Sequence, residues 1–264
     1  MIVIGERINT TRKSIGAAVE KKDAEFIQNE AKKQEAAGAN YIDVNCGTRI
    51  KDEVGDMEWL VNTIQEATNL PLCIDSPNHK ALDKGLSLVK KKAIVNSITG
   101  EKDRIELILP LVTKYKASVV ALTMDESGMP ESAQQRYDIA AGILEEVKKE
   151  GVKEEDVYFD LLVRPISTEP KQAVEFLEAI RKIKTLGKVN FTCGLSNISF
   201  GLPHRQVVNA VFLSMAMANG LNSAIIDPLN KLMMASIYTA ESILGQDEYC
   251  MNYITKAREG KLEI

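Results

Sequence analysis

Tyr41-Ile42-Asp43-Val44-Asn45, then Leu72-Cys73-Ile74-Asp75, then Ala93-Ile94-Val95-Asn96, are three short apolar runs that each end on a carboxylate or a carboxamide. Near-continuous hydrophobicity over four or five residues suits a strand covered on both faces, as in a parallel sheet. The pattern recurs outward in both directions. Ile2-Val3-Ile4-Gly5 precedes it, and Val119-Val120-Ala121-Leu122-Thr123 and Val157-Tyr158-Phe159-Asp160 follow it. Val189-Asn190-Phe191-Thr192-Cys193-Gly194 and Ala224-Ile225-Ile226-Asp227 complete the series. Reference positions 5, 43, 75, 96, 123, 160, 194 and 227 on these runs are separated by 38, 32, 21, 27, 37, 34 and 33 residues. Each interval accommodates a right-handed strand-helix-strand crossover.

The intervening segments read as helices. Ala24, Ile27 and Ala31 fall at spacings of three and four, as do Ile139, Ile143 and Val147, and Val208, Val211, Met215 and Ala218. Such stripes predict core-facing sides, with charged residues such as Glu145, Glu146, Lys148 and Lys149 opposite. Gly38 and Gly151 follow two of these patterns where a helix end favours a left-handed residue. Eight strand-helix units in 264 residues match a (β/α)8 TIM barrel, an α/β fold of about 250 residues. An open doubly wound sheet is the alternative, weakened because no Gly-x-Gly-x-x-Gly follows the first run. There is no Gly/Ser/Pro-rich linker and no shift in composition, so residues 1–264 read as a single domain.

Composition narrows the function classes. With 45% hydrophobic and 27% charged residues the chain resembles an average globular protein. The net charge of −4 lacks the dense cationic face of a nucleic-acid binder. No run approaches the ~20 apolar residues of a membrane span. Met1-Ile2-Val3-Ile4 is too short for a signal-peptide core, which makes a cytoplasmic location the expectation. Cys46, Cys73, Cys193 and Cys250 form no Cys-x-x-Cys pair, so they are expected to be free thiols. A zinc site would need ligands scattered among these and the two histidines, His79 and His204.

In a barrel the strand C-termini converge on one mouth, where active sites are built. That would gather Asp43, Asn45, Asp75, Asn96, Asp160, Ser196, Asn197 and Asp227. Any one of them also reads as a cap of the following helix. As a set they offer carboxylate acceptors and carboxamides with few cations. Such a mouth suits the N–H-rich edge of an aminopyrimidine, and equally a hard metal ion. No phosphate loop and no His-Glu-x-x-His occurs, and the nucleophile-elbow pattern begun at Gly194-Leu195-Ser196 lacks its closing glycine.

These motifs resemble the pterin-binding barrel family in order and spacing. They are Gly5-Glu6-Arg7-Ile8-Asn9, Ile42-Asp43-Val44-Asn45, Cys73-Ile74-Asp75-Ser76, Ile94-Val95-Asn96-Ser97, Asp160, and the segment from Gly194 to Pro203. The family includes dihydropteroate synthase, the folate module of cobalamin-dependent methionine synthase, and methyltetrahydrofolate:corrinoid/iron-sulfur-protein methyltransferase. The chain is most similar to the stand-alone methyltransferases, with Ser196-Asn197-Ile198-Ser199 the most discriminating piece.

The resemblance implies that Asp75, Asn96 and Asp160 hydrogen-bond the pterin ring and that Gly194 and Ser196 line the same wall. Asn197 would lie beside nitrogen 5 as the catalytic group, and Arg205 would meet the folate tail. Leu161 departs from the proline that relatives commonly carry after the aspartate. Tetrahydrofolate or 5-methyltetrahydrofolate would be the substrate, with no metal held by this chain. No Asp-x-His-x-x-Gly signature is present, so the corrinoid (cobalamin) would be carried by a partner protein docking over the mouth. A homodimer is also implied; Met215, Met217, Met233 and Met234 read either as interface residues or, more simply, as buried helix packing. Two competing expectations are a dihydropteroate synthase-like enzyme, for which the mouth offers mainly Arg205 and Arg164 as cations, and a non-catalytic folate-binding or corrinoid-docking barrel.

Overall fold

The computed structural model describes residues 1–49 and 52–263. Eight parallel strands are neighbours in sequence order: β1 (Ile2–Asn9), β2 (Tyr41–Asn45), β3 (Leu72–Asp75), β4 (Ile94–Ile98), β5 (Ser118–Leu122), β6 (Val157–Asp160), β7 (Asn190–Thr192) and β8 (Ser223–Ile226). β8 pairs with β1. The remaining seam is stitched by a bridge between Gly194 and Ile225, where the Ile225 amide donates to the Cys193 carbonyl at 3.0 Å. The sheet is therefore a nearly closed TIM-like barrel, as the run spacing predicts.

Alternation along the strands explains why the runs are apolar on both sides. Ile4, Cys73, Ile94, Val120 and Tyr158 fill the barrel interior. Their neighbours, among them Val3, Ile42, Val44, Ile74, Val95, Val119, Phe159 and Phe191, pack outward against the helices. Both faces are dry, so neither can alternate with polar residues until the strand reaches the mouth.

The helices are α1 (Lys13–Lys21), α2 (Ala24–Ala37), α3 (Glu53–Ala67), α4 (His79–Leu88), α5 (Lys102–Tyr115), α6 (Ala133–Lys149), α7 (Gln172–Ile183), α8 (Arg205–Asn219), α9 (Lys231–Ile243) and α10 (Met251–Arg258). Ile27 and Ala31 of α2, and Ile143 and Val147 of α6, are buried as their spacing predicts. Gly38 closes α2 at φ +104°, a left-handed cap that a side chain would strain.

Two expectations need correction. The stripe chosen for α8 faces outward: Val211 is 56% and Met215 49% exposed, while Ala210, Phe212, Leu213, Ala216 and Met217 form the core side. This helix is apolar on more than one face, so a three-four spacing fits two phases, and only packing against its neighbours selects one. β1 also runs beyond Gly5 to Asn9, because a bulge between Gly5 and Ile8 restores pairing with β2 at Val44 and Asn45. Of the four methionines considered for an interface, Met217, Met233 and Met234 are buried. No helix among the described residues is long and apolar enough to cross a membrane.

Candidate active site at the barrel mouth

The period of two that buries Tyr41, Cys73, Ile94 and Tyr158 inside the barrel carries Asp43, Asn45, Asp75, Asn96 and Asp160 to the inner wall nearer the mouth. Sheet register sets Asn45 beside Asp75 and Asp75 beside Asn96. The Asn45 Nδ2 donates to Asp75 Oδ2 at 2.7 Å, and the Asn45 Oδ1 accepts the Gly47 amide at 3.0 Å. Asn45 thus holds Asp75 from the adjoining strand, a contact that the strand pattern does not announce. Arg104 pins the next loop, donating to the carbonyls of Ser97 (3.0 Å), Pro77 (2.7 Å) and Ser76 (3.1 Å).

Burial dominates the electrostatics. Asp75 is pushed up to about 6 by desolvation, with the Asn45 hydrogen bond and the Arg104 charge opposing the rise. Asp160 is likewise pushed up to about 6 by burial, although the amides of Leu162 and Gly194 and the charge of Arg136 pull it down. Asp43 lies deeper, only 2% exposed, and its Oδ1 meets no hydrogen-bond partner. Burial, then the Asp75 charge, raises its carboxyl well above the ordinary range. Glu6, two residues beyond the interior Ile4, is also raised by burial. Asp43 and Asp160 are buried and Asp75 and Glu6 partly so, a setting where N–H donors of a ligand would stabilise the charged forms.

On the far side the strand ends give way to loops. Asp160 Oδ1 accepts the Leu162 amide at 2.8 Å. Gly194 joins the closing seam, and Ser196 and Asn197 lie exposed on the short 3-10 turn Leu195–Ser199. Arg205, at the start of α8, folds back onto that turn: Nη2 donates to the Ser196 carbonyl at 2.6 Å and Nε to Ser199 Oγ at 3.0 Å. Its guanidinium is thereby engaged with the turn that carries Asn197. Asp227 is engaged too, accepting Arg7 Nη1 at 2.9 Å with Arg12 at 3.6 Å. Among the described residues no group of three or more His, Cys, Asp or Glu side chains is placed to hold a metal ion. Cys46, Cys73 and Cys193 are buried free thiols and Cys250 is an exposed one.

The family model for pterin binding enzymes matches residues 5–227, from the end of the first apolar run to the end of the last. The chain belongs to the pterin-binding enzyme family. Within it, the chain is 37% identical to the methylcorrinoid:tetrahydrofolate methyltransferase of Eubacterium limosum, over 99% of this chain and 98% of that protein. It is 34% identical to the methionine synthase of Mycobacterium tuberculosis over 88% of this chain, which spans only 21% of that longer protein. Among solved structures, the dihydropteroate synthase of Clostridium difficile superposes with a TM-score of 0.75. That match covers 92% of this chain and 96% of the other at 17% identity, a likeness of fold alone. The pterin-binding barrel of this chain thus shares its architecture with synthases and its full-length sequence similarity with a methyltransferase.

Proposed function

We propose that this pterin-binding barrel moves a methyl group between nitrogen 5 of tetrahydrofolate and the cobalt of a separate corrinoid protein. The similarity to the Eubacterium limosum methyltransferase, end to end at 37% identity, carries this reading. The mouth supports it chemically, since its carboxylates and carboxamides match the N–H donors and carbonyl of a pterin edge.

In this reading Asp75, Asn96 and Asp160 bind the ring, and Gly194 and Ser196 line the wall beside it. Binding the pterin adds ring N–H partners to the donors that Asp75 and Asp160 already accept from Asn45 and Leu162. A tertiary amine is a very poor leaving group. As the methyl departs, nitrogen 5 keeps the bonding electron pair and must gain a proton, while the reduced cobalt supplies the pair for the new bond. In the opposite direction the nitrogen lone pair attacks the methyl, the carbon–cobalt bonding pair stays on the cobalt, which is left reduced, and the nitrogen proton is released. Either way charge changes at nitrogen 5 in the transition state. The Asn197 amide is the donor assigned to that atom, where an interaction that strengthens only in the transition state raises the rate. Arg205 acts by fixing the turn that presents Asn197. The corrinoid is a co-substrate brought over the mouth by its own protein, and the barrel acts as a homodimer.

The test is anaerobic turnover of 5-methyltetrahydrofolate with reduced cobalamin, beside turnover of a dihydropterin pyrophosphate with p-aminobenzoate. Loss of the reduced-cobalt absorbance in the first reaction alone is the expected result. Turnover of the second alone would make the chain a synthase. Folate binding without either reaction would make it a non-catalytic barrel.

A further inference from the structure

Arg136 sits in the first turns of α6 and is 0% exposed, the largest fully buried side chain among the described residues. Among the described residues no carboxylate forms an ion pair with it. Its partners are neutral: Nε donates to the Leu161 carbonyl at 2.7 Å, and Nη2 to Gln172 Oε1 at 2.9 Å and the Leu162 carbonyl at 3.3 Å. Nη1 is buried with no acceptor at all. Gln172 is aimed in turn by donating from Nε2 to the Glu131 carbonyl at 2.9 Å. A buried cation with no ion-pair partner is strongly disfavoured, so packing alone does not account for an arginine here.

Its contacts point to the mouth. Leu161 and Leu162 directly follow Asp160. Leu162 adopts φ +59°, a left-handed conformation that strains a non-glycine residue. The turn is clamped twice: from outside by the guanidinium on its two carbonyls, and from inside by the Leu162 amide on Asp160 Oδ1. The same loop then reaches the Asn197 turn, with the Ile166 amide on the Ile198 carbonyl (3.2 Å) and Ser167 Oγ on the Phe200 carbonyl (2.6 Å). The charged groups around Arg136 are Arg164 in this loop, Glu175 on α7 and Asp160 on β6. Burial, then repulsion from Arg164, lowers the guanidinium to about 10, so it remains a cation at neutral pH.

We propose that Arg136 is a positioning residue of the mouth: it holds the strained turn that aims Asp160 and steadies the Asn197 loop. Its positive charge behind that turn also draws the Asp160 carboxyl down, after the Leu162 and Gly194 amides. As a role in methyl transfer this rests on the function proposed above; as a field on Asp160 it does not.

The experiment is a carboxyl-carbon NMR titration of ligand-free protein, with the Asp160 resonance assigned by its loss in D160N. R136M should raise the Asp160 midpoint by about 0.5–1 pH unit relative to the parent. R136K, which keeps the charge without the planar fork, should leave that midpoint near the parent value and slow single-turnover methyl transfer about tenfold. An Asp160 midpoint unmoved in R136M overturns the proposal, because a merely structural arginine would leave the titration alone. Should R136M not fold, R136K decides: transfer at the parent rate overturns the positioning role. Failure of the parent to transfer methyl groups would count against the proposed reaction, and the titration would still test the field.

Discussion

Asp75 and Asn96 stand at adjoining strand ends, placed by sheet register and, for Asp75, by one strand-borne amide, Asn45. Asp160 also ends a strand, in register with Leu122 and Thr192, but its carboxylate is held by the loop that follows, and Asn197 lies on a loop turn. The shape of both loops depends on two arginines outside the sheet, Arg136 and Arg205. The first wall inherits its precision from a parallel sheet. The second must be held in place side chain by side chain, and it is the wall on which the proposed reacting atom would lie. The contrast assigns recognition mainly to the rigid wall and rate mainly to the adjustable one.

The largest effect should therefore come from Asn197. N197A is expected to lower single-turnover methyl transfer to a reduced corrinoid by about 10²–10³-fold, as for loss of one preorganised transition-state donor. Folate affinity should fall far less. If the loss of affinity accounts for the whole loss of rate, Asn197 binds ground and transition states alike and the contrast between the walls fails.

Asp160 tests what the loop wall costs the fold. Its folded carboxyl titrates near 6 rather than near the ordinary 3.8. Between roughly pH 4 and 6 the folded state therefore binds more protons than the unfolded chain, and stability declines as pH rises through that window. At pH 7 the ligand-free D160N variant should be more stable than the parent by about 2–3 kcal/mol, and near pH 4 the two should converge. Urea denaturation at the two pH values checks this. A D160N variant less stable at pH 7 would show that the carboxylate holds the turn together more than burial penalises it.

Arg205 should give the smallest change, because it is exposed and acts through the turn. R205M is expected to slow transfer about tenfold with little change in folate affinity. An affinity loss as large as the rate loss would instead return Arg205 to direct contact with the folate.

The architecture was legible because both faces of every strand are buried, so each strand announces itself as an apolar run with a polar end. The place of Asp75, Asn96 and Asp160 at the mouth was legible for the same reason, each being the first polar residue on the inner face of its strand. α8 was misphased because apolar residues occupy two of its faces, and Val211 and Met215 are distinguishable from Leu213 and Ala216 only by what packs on them. Arg136 carried no signal, since an arginine in a charged helix normally points to solvent and its burial depends on carbonyls some 25 residues away in sequence. The engagement of Arg205 with Ser196 and Ser199 likewise depends on a turn geometry that spacing does not encode.

Calorimetric titration of 5-methyltetrahydrofolate into the parent, D75A and D160A tests the pterin site most directly. The account predicts binding to the parent and a weakening of roughly 1–3 kcal/mol in each variant, the range for a lost charged hydrogen-bond partner. Near-ultraviolet circular dichroism on the same samples would confirm that each variant is folded. Unchanged affinity in both folded variants, or no binding to the parent, would contradict it.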